Sequence, residues 1–305
     1  MPNYRVYGFI VASDLPLPVL PRAEAGEPDV TIAAGPVPGT EGLRTQFRNW
    51  EAEPDRFIAT FHETGRFLVS GGNRITYHRF DHADDSQVVS ILLGTCMAAL
   101  LMQRRILPLH SCSVRTDQGA VLVMGVSGAG KSTTLGGLMA LGLPMMADDV
   151  TGIVFGESGQ PMAIPAFPAT RLWQDSLEKL GHGTAGLPRV RTDLAKFYRA
   201  VDGFHPEAEP IRAIVYLKAT NASEPRFHPI ELAQRTECVS RFVHRKNFLD
   251  GMHLRRWGFD SAVAIVRKVP LFELARPSGW VEPVDLAKTI LAGIAASEDM
   301  VRATA

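Results

Sequence analysis

The sequence predicts an α/β fold with a small β-rich module at its N-terminus. Three observations carry this. A glycine-rich loop, Gly125–Ser132, stands between an apolar strand-like run and a helix-like run. Strand-type and helix-type segments follow one another in mixed order after residue 86, and residues Tyr4 to about Arg79 hold strand-type runs alone. The expected division is a β-rich module over 1–85 and an α/β domain over 86–305.

In the first module Tyr4-Arg5-Val6-Tyr7 alternates as a strand does, and Pro16, Pro18 and Pro21 then break the chain. The Pro- and Gly-bearing stretch from Pro21 to Thr40 reads as loop. Phe57–Phe61 and Arg66–Ser70 flank His62-Glu63-Thr64-Gly65, a hairpin connection, and Gly71-Gly72-Asn73 turns the chain into Arg74–Tyr77. The expectation is a small antiparallel sheet.

The polar stretch Asp81–Ser86 offers a helix start, with Ser86 or an Asp as N-cap. The helix it opens, from about Gln87 to Arg104, is apolar on most faces and is expected to lie buried between the two modules. Its uncharged core, Val88–Met102, is short for a bilayer span. Arg104 and Arg105 suit the negative pole of its end. Leu107–Val114 reads as one strand and Val121–Met124 as the next, joined through the turn Thr116–Gly119.

Gly125-Val126-Ser127-Gly128-Ala129-Gly130-Lys131-Ser132 fits the phosphate-loop pattern G-x-x-x-x-G-K-[ST] at every required position. Glycines let the backbone wrap closely, so that N–H groups and the helix N-terminus face an anion. In such a loop Lys131 reaches the β- and γ-phosphates and Ser132 places its hydroxyl on Mg²⁺. The following helix, Lys131–Leu141, carries Gly136 and Gly137 in its interior, each costing about 1 kcal/mol in propensity against alanine. Either something approaches the helix closely there or the cost is tolerated. Gly142 and Pro144 end it.

A strand, Leu143–Ala147, delivers Asp148 and Asp149 at its tip. Transfer of a phosphoryl group to a hydroxyl uses a carboxylate on the metal and another to take the proton. Adjacent strand residues face opposite ways, so both aspartates can serve only where the chain turns. His110 precedes the loop by one strand. If the two strands are neighbours its imidazole lies near the γ-phosphate; otherwise it is a core histidine. Further strands are expected at Gly152–Phe155 and Ile211–Leu217, and helices at Leu172–Leu180, Glu231–Val243 and Pro283–Ala296.

Leu109-His110-Ser111-Cys112-Ser113-Val114, then GVSGAGKST, then Leu143–Val150 ending in Asp148-Asp149, resembles the catalytic domain of HPr serine kinase/phosphorylases. Tyr7-Gly8-Phe9, Leu15-Pro16-Leu17-Pro18 and Arg171-Leu172-Trp173 are similar to the subgroup encoded with ribosomally made peptides, including lasso peptide kinases. The resemblance implies a P-loop kinase domain of the HPr kinase type, using ATP and Mg²⁺ to phosphorylate a serine hydroxyl on a peptide or protein. In that subgroup the acceptor is often a precursor's C-terminal serine. It implies a nucleotide site of Gly125, Ser127, Gly128, Ala129, Gly130, Lys131, Ser132 and Thr133, with Ser132 and Asp149 on the metal. Asp148 and Asp149 share base and metal duties, and His110 sits beside the transferring group. The acidic, Gly-rich signature of the parent family finds no clear match, so the resemblance does not carry over HPr as substrate or the reverse phosphorolysis reaction. Likeness to PEP carboxykinases is confined to the loop. The family also assembles, so a homo-oligomer is implied.

Composition bounds the alternatives. The 305 residues carry 32 Lys+Arg against 32 Asp+Glu, a net charge of +0, so no global field favours nucleic acid or an anionic membrane. Cys96, Cys112 and Cys238 form no CxxC pair, and the N-terminus lacks a secretory pattern, so a reducing cytoplasm is expected. No LSGGQ or N-K-x-D motif supports a transport or switch NTPase. A nucleotide-gated peptide-binding module and a small-molecule kinase stay open beside the peptide kinase. Arg171, Lys196, Arg212 and the basic run Arg241, His244, Arg245, Lys246, Arg255 and Arg256 are weaker candidates for substrate contact, since charge runs are usually solvated faces.

Overall fold

The computed structural model describes residues 1–39, 49–179 and 181–304. In chain order the first strands are β1 (Asn3–Val6), β2 (Phe9–Ser13), β3 (Val30–Ala34), β4 (Trp50–Glu53), β5 (Arg56–Phe61), β6 (Gly65–Ser70) and β7 (Arg74–Arg79). Helices α1 (Asp85–Ile91) and α2 (Met97–Gln103) follow, joined by a π-helical turn at Leu92–Cys96. Then come β8 (Leu107–Leu109), β9 (Ser111–Thr116), β10 (Gly119–Met124), α3 (Lys131–Ala140), β11 (Met145–Ala147), β12 (Thr151–Phe155), β13 (Pro161–Ile164), β14 (Ala169–Trp173), α4 (Gln174–Lys179) and β15 (Lys196–Ala200). The last are β16 (Glu209–Thr220), β17 (Arg226–Pro229), α5 (Leu232–Arg241), α6 (Asn247–Gly251), α7 (Arg255–Lys268), β18 (Leu271–Pro277) and α8 (Pro283–Thr304).

These elements form a mixed α/β structure in two compact units. One comprises Met1–Pro108, Arg171–Ala200 and His244–Asp260; the other comprises Leu109–Thr170, Val201–Val243 and Ser261–Ala305. The units interleave along the chain, whereas the sequence reading divides it once, at residue 85.

In the first unit the strands run β1-β2-β3-β7-β6-β5-β4. The expected hairpin is there, with Phe57 opposite Val69 and Phe61 opposite Gly65. The sheet is not wholly antiparallel, however: β3 runs parallel to both β2 and β7. Parallel neighbours need a long return of the chain. Residues Asp14–Asp29 supply one and the β4–β6 meander the other. The loop reading of Pro21–Thr40 missed β3 for that reason; Thr40 itself lies outside the described residues. Likewise Leu172 belongs to β14 rather than to a helix, and Leu180 lies outside the described residues.

Asp84 caps α1, accepting from the Gln87 amide at 3.0 Å while Gln87 Oε1 accepts from the Asp84 amide at 3.4 Å. The continuous run Asp85–Gln103 is long and apolar enough to cross a membrane by length and composition, but 72% of its most apolar window is buried within the structure. Gln103 ties its end to the sheet, donating to Val69 O at 3.2 Å and accepting from the Gly72 amide at 2.9 Å. Arg104 lies over the ring of Phe9 and Arg105 over that of Trp257.

The second unit is organised around one sheet in which β11, β9, β10 and β16 are successive neighbours and β18 lies on the far side of β16. β9 is antiparallel to β10 and β11, while β16 and β18 run parallel to β10. Val121 and Val123 of β10 pack with Leu135 and Leu138 of α3 and with Ile290 and Ile294 of α8 in one apolar core. Arg212 of β16 forks onto Glu298 of α8 with two bonds of 2.8 Å. It is thus a strut between sheet and helix rather than a substrate contact.

α3 ends as its sequence predicts. Gly142 takes φ +86°, its amide donates to Met139 O at 2.9 Å, and the Leu143 amide donates to Leu138 O at 3.3 Å. The reason for Gly137 is the close approach of α8. A Cβ on Gly137 would stand 2.0 Å from the carbonyl oxygen of Pro283, a backbone atom that cannot step aside. Gly137→Ala gains about 1 kcal/mol in helix propensity, but relieving such a clash costs roughly 1–3 kcal/mol. The expected net result is a lower urea midpoint; an unchanged or raised midpoint would show that α8 can yield.

Candidate functional site

The register of the second sheet brings three separate stretches to one end of it. Met124, the last residue of β10, pairs with Ser111, the first of β9, so Gly125 and His110 emerge side by side. Because β9 also pairs antiparallel with β11, the end of β11 leaves the sheet at the same place. The strand expected over Leu107–Val114 is broken at His110, whose amide donates to Phe242 O at 2.7 Å, and β8 and β9 stand on either side. The break lets His110 leave the pleat.

Residues Gly125–Gly130 join β10 to α3. Gly125 lies so close to β16 that a Cβ would fall 2.7 Å from Leu217 O. Gly130 sits at the N-cap of α3 with φ +99°. It has no side chain to cap the helix, and no acidic residue stands in the first turn. The leading N–H groups of α3, which lack intrahelical acceptors, therefore face the loop with no carboxylate of their own turn to quench the helix's positive end. Ser127 and Gly128 are exposed, Ala129 is buried, and Ser132 and Thr133 are half-buried at the helix start.

Lys131 is only 8% exposed. Its ammonium turns back along the loop and donates to Gly125 O at 2.9 Å and Val126 O at 3.3 Å. It also meets Nε2 of His110, at 3.0 Å. An ammonium has only protons to offer, so Nε2 must be the acceptor and the imidazole proton must sit on Nδ1. Nδ1 in turn lies 3.0 Å from the backbone oxygen of Asp149, which accepts that proton, and 3.6 Å from its carboxylate. Lys131, a neutral His110 and Asp149 therefore form one row across the mouth of the loop.

Asp148 and Asp149 follow the last residue of β11, in a bend. Asp148 is 5% exposed, whereas Asp149 is half-buried, so the turn gives the two carboxylates different surroundings. Beneath the row, Cys112 Sγ lies 3.5 Å from Lys131 O. Burial, reinforced by the Asp148 charge and opposed by Lys131, pushes its thiol well above the ordinary cysteine range.

Among the described residues no group of three or more His, Cys, Asp and Glu side chains forms a metal cage. Mg²⁺ does not need one, since it is commonly held by one or two carboxylates, water and substrate phosphates. A hydroxyl on Ser132 and a carboxylate on Asp149 are hard oxygen donors of the right kind.

Neither a protein-family model nor a curated protein matches the chain. A solved structure, that of the Hpr(Ser) kinase/phosphatase from Coxiella burnetii, is similar over 64% of this chain and 98% of that one, with 12% sequence identity and a TM-score of 0.33. A likeness at that level leaves the chemistry of the site to its own geometry.

The structure thus brings His110, Gly125, Lys131 and Asp149 together, with Asp148 adjoining in the chain. Arg171 lies over the ring of Tyr198, Lys196 over that of Trp173 and Arg241 over that of Phe242. The structure also adds Arg276, at the end of β18, whose Nε donates to Ala129 O of the loop at 2.9 Å. No sequence signal marks that arginine, because its approach depends on β18 being the parallel neighbour of β16.

Proposed function

We propose that this chain is an ATP- and Mg²⁺-dependent kinase that phosphorylates a serine hydroxyl on a peptide or protein. The observation that carries the reading is the row Lys131–His110–Asp149 at the mouth of a glycine-rich loop whose helix start is uncapped. A phosphate tail would lie along the loop amides and take over Lys131 from its carbonyl acceptors. Ser132 and Asp149 would hold the metal, which would supply charge neutralisation for the phosphates. His110, held by the Asp149 backbone, keeps its unprotonated Nε2 toward Lys131 and so toward the transferred group. One of the two aspartates accepts the proton of the attacking hydroxyl. Asp149, the more accessible, suits an incoming substrate.

The acceptor follows from the sequence resemblance. A ribosomally made precursor peptide, of the lasso type and phosphorylated at its C-terminal serine, fits it best. The test is to incubate the purified chain with ATP, Mg²⁺ and such a peptide and read the peptide mass. Gain of one or more phosphoryl groups that requires the serine supports the reading. Tight ATP binding with no transfer to any hydroxyl would replace it with a nucleotide-gated binding module, and transfer only to a small molecule would move the acceptor.

A further inference from the structure

We propose that Arg276 is a phosphate-contacting residue of the nucleotide site, a second cation reaching the loop from the far side of the sheet opposite Lys131. The inference rests on the proposed nucleotide site and names a residue that the loop pattern does not contain. β16 and β18 run parallel to β10, so the ends of all three strands open on the same edge of the sheet, with Arg276 opposite Ala219. From there its guanidinium crosses to the loop. Nε donates to Ala129 O at 2.9 Å, and Nη1 donates to Pro277 O at 2.6 Å and Gly279 O at 3.1 Å.

Those three bonds fix the plane of the fork and leave Nη2. This nitrogen stands 3.4 Å from the position a Cβ on Gly130 would take, beside the first turn of α3. Its two N–H groups have no acceptor among the described residues. The acceptors of the other three are all neutral carbonyls, and no carboxylate pairs with Arg276 there. Arg212, by contrast, meets the carboxylate of Glu298. Arg276 is instead partly desolvated without a counter-charge, and burial holds its pKa below the usual arginine value. A positive charge aimed at an uncapped helix start is a standing cost that an anion relieves. The three bonds serve a second purpose, since they preorganise the fork and little side-chain entropy remains to be lost when phosphate arrives.

The test uses the full chain with a fluorescent ATP analogue, and ATP, adenosine and inorganic tripolyphosphate as competitors. Arg276→Gln should weaken ATP and tripolyphosphate by about 10- to 100-fold, the range expected for charge-assisted bonds, and leave adenosine unchanged. Arg276→Lys should recover part of the loss, which a role confined to holding Ala129 would not produce. Equal losses for adenosine and tripolyphosphate, or affinities unchanged from the parent chain, would overturn the inference while leaving the nucleotide site intact. If the parent chain itself binds neither ATP nor tripolyphosphate, the proposed function fails and takes this inference with it. Should Arg276→Gln melt lower than the parent chain, the Arg276→Lys titration alone decides, because that variant retains the charge.

Discussion

Lys131→Ala is expected to abolish phosphoryl transfer and to weaken ATP binding. Removing one preorganised donor aimed at developing charge costs about 100- to 1000-fold in turnover, and Lys131 is such a donor, seated on the loop carbonyls of Gly125 and Val126. The same change also removes the Lys131 contact of His110 Nε2, so the ring loses that restraint. Quench-flow measurement of phosphate transfer, with urea unfolding of the empty protein as a control, separates the two effects. Transfer near the parental rate in a folded variant would remove Lys131 from the site.

Asp149→Asn is the second large effect, and the structure makes it unusually clean. His110 is held by the backbone oxygen of Asp149 at 3.0 Å, while the carboxylate stands off at 3.6 Å. The amide replacement is nearly isosteric and leaves the backbone oxygen in place, so the Lys131–His110 row should persist. What disappears is a charged oxygen able to bind metal or accept a proton. Loss of general-base assistance alone costs about 100- to 10,000-fold. The expected result is a fall of that size in kcat with tripolyphosphate affinity in the absence of Mg²⁺ little changed. Parental kcat in Asp149→Asn, with a collapse in Asp148→Asn, would transfer both duties to the buried neighbour.

Much of this arrangement was legible in the chain because it depends on local chemistry. Gly125, Gly130 and Lys131 announce a loop with little room and a cation at its exit, and Val121–Met124 announces the buried strand before it. The adjacency of His110 to the loop needed only one antiparallel step, from β9 to β10. What stayed hidden depends on pairing across long separations. The parallel pairing of β3 with β2 and β7 leaves no mark in the local pattern of Val30–Ala34. The same is true of β18, which joins β16 after a strand and three helices have intervened, and with it of Arg276. Gly137 was legible as an unexplained cost, and only the position of Pro283 supplied its cause.

The thiol of Cys112 has a consequence for how opening of the site can be timed. A thiol reacts with alkylating agents as its thiolate, and Cys112 is both inaccessible and held in the neutral form beneath the turn that carries Lys131. Its alkylation therefore has to wait until that turn lifts from β9. Cys96 is equally buried, in the other unit, and Cys238 is half-buried with its thiol pushed up to about 11. Each cysteine falls in a different stretch of sequence, so peptide mapping after timed exposure to iodoacetamide reads the three independently. The chain thus contains an internal clock for lifting of the helix start at which a phosphate would sit, and a bound nucleotide should slow that clock at Cys112 more than at Cys96.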